Sequence, residues 1–555
     1  MPMMLPTLPD DILYMICTQL WHQHDFDTLY HGALAGKQLA VPALTNLYRM
    51  HDVSPVTNRG SSDVDISAQD RAKITNKARS NQEEVMTMRW AQLWRTIITS
   101  ALGKTLFPYT LYIRTLNLED LEELLQDPKF KNRISTMFFD GELAAHRVET
   151  SGPKNVLKFD PARTSNTLGD IITTSTPILE ELSGKIENDA LLRWIPRTPR
   201  LRLLNLWEGG ALVGAGPLLR QHCHQFKTLS FWAWNHDDAD QKFADFLNEI
   251  NPQTLSSLEI FSNSKIGAES FLALSCHRHS LKELKLGSIG STAMHSLHML
   301  AGCTNLTTLL LTDDTKSSVY LKVAHHDIFL EIVAWLTSCK KLRSVTVRNI
   351  RGGQDLMTPI LLANDIHLTS LELRGYAMAD ARDFHQALAN QTSLQELQLH
   401  GDSDEAGDGV ATLVESLSEL VNLTDLRLQD ISDYFTDEVL GRLARSLPKL
   451  EGWYTSGWGV TDAIWGDIAS LKSLRRLDIA ALSRFTANGI LDFILNLGAG
   501  NKGLVLAIMM ADVDCDLTER EQTTIKETIS AQVDGRFEFQ LQRELDISEY
   551  EAESD

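Results

Sequence analysis

The sequence has few cysteines and no long apolar segment. Its six cysteines among 555 residues include no C-x-x-C pair, so we predict reduced thiols rather than disulfides or a zinc site. No segment approaches eighteen consecutive apolar residues, and we therefore predict no membrane span. The start, MPMMLPTLPDD, has no basic region and is interrupted by proline and aspartate. It does not resemble a secretory signal, which indicates a location in the cytoplasm or nucleus.

Basic residues and catalytic motifs are also scarce. The chain has 52 basic and 73 acidic residues, a formal charge of −21, which argues against a general nucleic-acid binder. H-E-x-x-H and G-x-S-x-G are absent, and the glycine-rich residues 208–219 contain neither G-x-G-x-x-G nor the Lys-Ser/Thr of a phosphate loop. We predict a strand-to-helix turn there, and no catalytic, cofactor-binding or metal-binding residue. An enzyme or GTPase activator that uses an exposed arginine is the alternative from another class.

One short pattern, L-x-x-L-x-L, recurs along most of the chain. It is clear in HLTSLELRGY, where Leu368, Leu371 and Leu373 occupy positions 1, 4 and 6. From residue 201 onward the copies follow one another at intervals of 24 to 36 residues, which is the spacing of leucine-rich repeats. Clear copies begin at Ile113, Leu201, Phe226, Leu255, Leu281, Leu306, Leu342, Leu368, Leu394, Leu423 and Leu474, and weaker ones at Ile134, Leu179, Leu450 and Gly503.

Each copy predicts a short strand followed by a helix. Alternation places positions 4 and 6 on one strand face, and no single unit can bury its leucines alone. We therefore predict an α/β leucine-rich-repeat solenoid over residues 111–543, a horseshoe with a parallel sheet on its concave face and helices on its convex face. The interval after Leu306 holds about ten extra residues, predicted to form a loop. Residues 536–542 are predicted as an edge strand and residues 544–555 as an acidic disordered tail.

The cysteines follow the repeat. Cys223, Cys303 and Cys339 each precede the first position of a repeat by three residues, and Cys276 precedes it by five. This regular placement predicts one kind of buried position between helix and strand. The nearby histidine clusters lie two repeats apart and do not favour a shared zinc ion.

Residues 1–50 have a different character. Pro9 followed by two aspartates predicts a helix start, and Ile12, Ile16 and Leu20 recur at helical spacing. Asp25 predicts the start of a second helix. A third apolar cluster follows at residues 39–47. Because fifty residues make only a small core, the module favours docking on a partner, with a private helical core as the alternative.

Residues 5–50 resemble an F-box in the order and spacing of Leu8-Pro9, Ile12, Ile16, Leu20, Leu29, Lys37 and the closing Leu47-Tyr48. An F-box ahead of leucine-rich repeats resembles F-box/LRR substrate receptors, and residues 47–118 resemble fungal members. The resemblance implies that Leu8, Pro9, Ile12, Ile16 and Leu20 contact a Skp-family adaptor. The adaptor would connect the chain to a cullin–RING ubiquitin ligase, and the repeats would hold an unknown protein substrate. The alternative is a non-ligase LRR scaffold or inhibitor whose N-terminal helices only cap the solenoid.

Residues 51–110 connect the two parts. Residues 54–82 are polar with few apolar side chains, and we predict a flexible loop. A helix is predicted over residues 83–102, and its Met86, Trp90, Trp94 and Ile98 would cap the open end of the solenoid.

Repeat position 7 points away from the leucine core and supplies the predicted substrate-binding residues. Because neighbouring strands lie about 4.8 Å apart, Trp207, Trp232 and Phe261 should form an aromatic column. Likewise Arg348, Arg374 and His400 should form a basic column, for which local pairing with Glu372 and Glu396 competes with capture of an acidic or phosphorylated peptide. Tyr454 and Trp458 are predicted to extend this surface. A one-residue register error would turn each column into core.

Overall fold

The computed structural model describes residues 8–23, 25–48, 76–151, 157–262, 264–313, 319–378, 380–401, 407–431 and 435–542. The chain divides into two compact units, unit 1 (Met1–Phe261) and unit 2 (Ser262–Asp555). No helix within these described ranges is both long enough and apolar enough to cross a bilayer.

The elements alternate between strand and helix over most of the chain. The strands are β1 Thr115–Asn117, β2 Glu149–Ser151, β3 Leu157–Phe159, β4 Glu181–Gly184, β5 Leu203–Glu208, β6 Thr228–Ala233, β7 Ser257–Ile260, β8 Glu283–Leu286, β9 Thr308–Thr312, β10 Ser344–Arg348, β11 Ser370–Tyr376, β12 Glu396–Gly401, β13 Asp425–Gln429, β14 Gly452–Thr461, β15 Arg476–Arg484, β16 Val505–Ala511 and β17 Arg536–Leu541. The helices of unit 1 are α1 Asp10–His22, α2 Phe26–Ala35, α3 Lys37–Leu47, α4 Asn76–Ala101, α5 Leu118–Gln126, α6 Ser135–Phe138, α7 Pro161–Ser175, α8 Asn188–Trp194, α9 Ala215–His222 and α10 Ala239–Glu249. Those of unit 2 are α11 Ala268–Leu274, α12 Ser291–Ser296, α13 Leu321–Ala324, α14 His326–Ser338, α15 Gly353–Leu362, α16 Arg382–Leu388, α17 Gly407–Ser418, α18 Asp437–Ser446, α19 Trp465–Ile468, α20 Ala487–Leu495 and α21 Glu519–Val533.

Each unit is built on a parallel sheet. In unit 1, β1, β4, β5, β6 and β7 pair in that order and all in parallel. In unit 2, β8 to β17 pair in sequence order. A parallel connection needs a crossover, and here a helix or helical turn supplies it. The predicted α/β leucine-rich-repeat solenoid is confirmed.

The leucines lie where the repeat predicts them. Leu368, Leu371 and Leu373 are all buried, while Glu372 and Arg374 on β11 alternate outward. The strand pairs in parallel with β10 and β12, so that equivalent repeat positions are direct neighbours. The leucines of successive repeats therefore form one continuous core behind the sheet within each unit.

A left-handed residue lies at or just beyond the C-terminal end of several strands. At repeat position 8, Ser288, Asn349, Gly375, Asp430 and Met510 all have φ between 48° and 72°. This conformation is costly for residues other than glycine. It comes after the last residue of β8, β10 and β13, whereas within β11 and β16 it coincides with a shift in strand register. At Gly375, a Cβ atom would also lie 3.0 Å from the Oδ1 atom of Asn349. The backbone of the repeat, rather than a glycine signature, fixes this conformation.

Two parts of unit 1 differ from the sequence predictions. The weak repeat at Ile134 is helical rather than a strand, because Phe130, Ile134 and Phe138 are spaced four apart and are all buried on one helical side. The prediction of a repeat strand there is wrong. Beyond it, β2 and β3 pair as an antiparallel hairpin that the repeat pattern did not predict.

Helix α4 covers the beginning of the repeat array. It starts at Asn76, so residues 76–82 are helical rather than part of the predicted loop, whose other residues, 54–75, lie outside the described ranges. The Nε1 atoms of Trp90 and Trp94 both donate to Oδ2 of the buried Asp120 in α5, at 2.7 Å and 2.9 Å. Ile98 is buried as predicted, whereas Met86 is exposed. The predicted capping helix is therefore anchored by its two tryptophans.

Two later segments can be compared with their predictions. The extra residues after β9 were predicted to form a loop, but residues 321–324 form the short helix α13. The hydroxyl of Tyr320, just before this helix, donates to Oδ2 of Asp355 at 2.7 Å. In the part of the chain that the structure describes, β17 pairs with β16 alone and is the predicted edge strand. Residues 314–318 and the predicted acidic tail at 544–555 lie outside the described residues.

Three cysteines occupy the predicted buried position. Cys223, Cys303 and Cys339 are buried, and burial raises the pKa of their thiols to about 12, 11 and 12. Cys276, predicted to share this position, is only half-buried, as is Cys515. Its different offset from the repeat start explains the difference.

We expect iodoacetamide to distinguish these thiols in the native protein. At about pH 8, a thiol with raised pKa holds almost no thiolate, which is the reactive form. Cys276 and Cys515 should be alkylated within minutes, whereas Cys223, Cys303 and Cys339 should react only after denaturation. Mass spectrometry of tryptic peptides measures this pattern. Rapid native labelling of Cys303 would contradict the packing described here.

Candidate functional site

The N-terminal helices form a small core of their own. Pro9 precedes α1, and Asp25 caps α2 by accepting from the Thr28 backbone N–H at 3.1 Å, as the sequence predicted. The core consists of Cys17, Leu29 and Ala43, one from each helix. Partly buried apolar side chains from all three helices pack against this core. The module thus buries one stripe of each helix within itself.

Helix α1 carries a second apolar stripe that this core does not use. Leu8 is 52% exposed, Ile12 40% and Ile16 45%, and the neighbouring Met15 is 67% exposed. Pro9, at the start of the helix, is exposed as well. Apolar side chains clustered in this way on a surface are typical of protein-binding sites.

Leu20, the fifth residue predicted to contact an adaptor, lies on the other stripe. It is half-buried and packs against the cluster around Cys17. The spacing of 3.6 residues per turn explains this: Leu20 follows Leu13 by seven residues and therefore faces inward with it. The sequence reading joined Ile12, Ile16 and Leu20 into one stripe, and the structure separates Leu20 from the other two.

Unit 1 contains the predicted aromatic column. The rings of Trp207 and Trp232 stack with centroids 6.0 Å apart and an interplanar angle of 26°. Those of Trp232 and Phe261 stack at 5.9 Å and 20°. The three side chains are 44%, 51% and 41% exposed, respectively. The rings support one another and still present a large apolar surface on the outer face of the sheet.

The glycine-rich stretch after Trp207 is the predicted strand-to-helix turn. Residues 209–212 form a single helical turn before α9. At Gly209, a Cβ atom would lie 2.4 Å from the ring of the buried Trp234. The glycine therefore allows close packing beneath the aromatic column and does not form a phosphate loop.

Unit 2 contains the predicted basic column. Thr312, Arg348, Arg374, His400 and Gln429 are paired in register on successive strands. The predicted repeat register is therefore correct. Position 7 is partly exposed from Arg348 to Gln429, whereas Thr312 is buried.

Carboxylates already neutralise much of this column. Arg348 donates from Nε and Nη2 to the two carboxylate oxygens of Glu372, both at 2.8 Å, and Arg374 donates from Nε to the same carboxylate. Burial opposes ionisation of Glu372, but hydrogen bonds and charge from both arginines outweigh it and lower the pKa of this carboxyl. His400 lies 3.1 Å from Asp430.

The arginines and the histidine of the basic column therefore pair with carboxylates of the same chain, Glu372 and Asp430, which was the alternative to peptide capture. Glu396, the other predicted partner, is exposed at the start of β12. Asp430 was missed because it lies at repeat position 8, where alternation points a side chain inward; its left-handed backbone turns it outward instead.

Tyr454 and Trp458 both lie on β14 but differ in exposure. Trp458 is largely exposed, whereas Tyr454 is half-buried. In register, Tyr454 lies between Arg427 on β13 and Asp478 on β15. Burial, followed by the negative charge of Asp430 and Asp478, raises the pKa of Tyr454. Trp458 is the more accessible of the two predicted contacts.

Within the described ranges, no group of three or more histidine, cysteine, aspartate or glutamate side chains is placed to hold a metal ion. What the structure presents instead is a set of surfaces: the outer stripe of α1, the aromatic column of unit 1 and the largely neutralised column of unit 2.

Comparison with known proteins finds solved structures of low similarity. No family model matches the chain, and no curated protein sequence matches it. An internalin from Listeria monocytogenes is similar at 15% identity over 57% of this chain and 77% of its own, with a TM-score of 0.35. The leucine-rich-repeat protein LegL7 from Legionella pneumophila has 16% identity over 55% and 98%, with a TM-score of 0.33. A chain of the yeast Rad7–Elc1 complex has 13% identity over 82% and 96%, with a TM-score of 0.32. The leucine-rich-repeat fold assigned to this chain therefore rests on its own strands, helices and register.

Proposed function

We propose that the chain is the substrate-recognition subunit of an SCF-type cullin–RING ubiquitin ligase. In this proposal, α1 docks on a Skp-family adaptor and the outer strand faces bind a protein substrate. The chain itself is non-catalytic, acts in the cytoplasm or nucleus, and leaves ubiquitin transfer to the other subunits. The F-box resemblance of residues 5–50 and the fold that follows them support this assignment.

The exposed apolar stripe of α1 is the observation that carries the proposal. Leu8, Ile12 and Ile16 remain exposed although the same helix buries Leu13 and Cys17. A module that served only as its own core would use one stripe, and α1 has two. An apolar stripe on a helix suits insertion against a partner's groove or helices.

The second candidate is an LRR scaffold or inhibitor in which residues 8–48 only cap the array. One contact favours it: the ring of Tyr48, just after α3, stacks on Tyr109 at 5.0 Å and so ties the module to the segment before β1. Against it, α4 already covers the start of the repeats through Trp90 and Trp94. The scaffold function requires no adaptor and predicts an unstable array once residues 8–48 are removed.

Co-expression with an affinity-tagged Skp-family adaptor tests the proposal. We expect the full chain to co-purify with the adaptor and the variant Ile12→Asp/Ile16→Asp to be lost, because two charges would be placed in the apolar contact. Leu157→Asp is the matched control, since Leu157 is equally apolar and exposed but lies on the β3 hairpin. Equal thermal midpoints for the three proteins would show that folding is unaffected.

Failure of the wild-type chain to co-purify would refute the ligase function. If the wild type and the Ile12→Asp/Ile16→Asp variant co-purify equally, α1 is not the docking surface. In that case, destabilisation on removing residues 8–48 would favour the scaffold.

A further inference from the structure

The aromatic column of unit 1 lies on a sheet face with an excess of negative charge. Among the outward positions of β4 to β7, Glu181 and Glu259 supply carboxylates. Glu208 follows Trp207 directly, is exposed and makes no ion pair within the described part of the chain. Of the bases close by in sequence, Lys185 lies just after β4, whereas Arg202 and Lys227 lie before β5 and β6, at the strand ends away from the rings, and Arg202 pairs with Glu180.

We propose that this column binds an extended, positively charged protein segment lying across the strands, with basic side chains at alternate residues stacked against Trp207, Trp232 and Phe261. The proposal deepens the proposed function by naming the substrate class, and it rests on that function only in assigning the segment to a substrate.

The spacing of the rings fits such a segment. In an extended chain, side chains on the same side recur every second residue, or about 6.6 Å. The ring centroids of the column are 6.0 Å and 5.9 Å apart. Residues i, i+2 and i+4 of one extended segment can therefore each meet one ring without a break in the backbone.

The chemistry of the face selects a cation. Arginine and lysine are attracted to aromatic rings, most strongly to tryptophan, and the planar guanidinium of arginine also stacks on them. Glu208, at the end of β5, can pair with such a side chain once it lies on Trp207. An acidic segment would meet repulsion here, and a neutral apolar one would leave the carboxylate without a partner. The formal charge of −21 also favours encounter with a basic partner.

The column is accessible because its rings are not buried by neighbouring loops of unit 1. Each ring keeps between 41% and 51% of its surface exposed while stacking on the next. Stacking also restricts the ring rotamers before a partner arrives, which lowers the entropy lost on binding.

A fluorescein-labelled peptide, TRSRSRT, is the probe, because its arginines fall at i, i+2 and i+4. We expect fluorescence anisotropy to report binding to the full chain at about 0.15 M salt. Trp232→Ala should weaken binding about tenfold, and Glu208→Gln about threefold, in line with the loss of one stacked cation and one ion pair. Phe107→Ala is the matched control, since Phe107 is also an exposed ring of unit 1 but lies outside the column; it should leave binding unchanged.

Three further peptides test the two parts of the proposal. TESESET should not bind, TLSLSLT should bind at least about tenfold more weakly, and RRRTSST should also bind more weakly because its arginines are adjacent. Equal or tighter binding of TLSLSLT or TESESET would overturn the cationic assignment. Unchanged affinity of TRSRSRT for Trp232→Ala, with its thermal midpoint intact, would remove the column from binding.

Peptide binding and adaptor binding can be tested independently of each other. The Ile12→Asp/Ile16→Asp variant should bind TRSRSRT with the affinity of the wild type, because α1 is not part of the column. A chain that binds the peptide but no adaptor would retain this inference and lose the ligase function. A chain that binds the adaptor but not the peptide would lose only this inference.

Discussion

Replacing Asp120 by alanine should lower the free energy of unfolding by about 3 kcal/mol. The substitution removes the acceptor shared by the indole N–H groups of Trp90 and Trp94, which lie in a buried region. Buried donors without an acceptor cost about 1–3 kcal/mol each, and a charged acceptor raises the cost. Because these bonds join α4 to α5, the substitution should destabilise the start of the repeat array.

Urea-induced unfolding, followed by tryptophan fluorescence, measures this effect. Asp189→Ala is the matched control, since Asp189 also lies in the first turn of a helix but is exposed. Asp189→Ala should lower the free energy of unfolding by less than about 0.5 kcal/mol. Asp120→Asn keeps one acceptor oxygen, so its loss of stability should lie between those of Asp120→Ala and Asp189→Ala. An unchanged stability of Asp120→Ala would mean that the tryptophans do not anchor α4.

Acidification should destabilise unit 2 through His385. This residue of α16 is completely buried, next to the hydroxyl of Tyr376 at 3.3 Å. Burial, only partly offset by a hydrogen bond with the Gly409 backbone, lowers the pKa of His385 to about 4. Below pH 6.5 the unfolded chain binds a proton that the folded chain does not, so stability decreases as pH falls from about 6.5 to about 4, by up to about 3 kcal/mol.

The test compares the pH dependence of two proteins rather than their absolute stabilities. Wild type and His385→Gln should be unfolded with urea at about pH 7 and pH 4.5. The wild type should lose about 2 kcal/mol more of its free energy of unfolding than the variant between these two values. Equal losses would show that His385 does not contribute to acid sensitivity.

The repeat register could be predicted from the sequence because its signal is redundant. A leucine at positions 1, 4 and 6 leaves one strand face for the core, and the same phase recurs in every repeat. Once the phase is fixed, Trp207, Trp232 and Phe261 must be neighbours, and so must Arg348 and Arg374. The structure confirms both columns.

The sequence could not predict which side chains pair with one another in the folded chain. Glu372 and Glu396 both lie at outward positions, 5 and 3 of their repeats, yet both arginines bind Glu372, because position 5 is next to position 7 on that strand face and position 3 is farther away. The bonds from Trp90 and Trp94 to Asp120 join residues 26 to 30 positions apart, without a local pattern.

Short apolar motifs were the other source of error. ISTMFF shares its apolar positions with a weak repeat, but its neighbour Phe130 extends the pattern to four-residue spacing, which a helix satisfies. In α1, two stripes lie side by side, and Leu20 fits either by spacing until the core partners Leu29 and Ala43 are known. In both cases the deciding information came from packing.

Hydrogen exchange with and without a Skp-family adaptor tests the central claim most directly. The amides of α1, residues 10–22, should become protected when the purified adaptor is added to the full chain, since the exposed stripe of Leu8, Ile12 and Ile16 would be covered. Those of α21, residues 519–533 at the other end of the array, should exchange at an unchanged rate. Protection that leaves residues 10–22 unaffected, or no protection at saturating adaptor, would contradict the proposal.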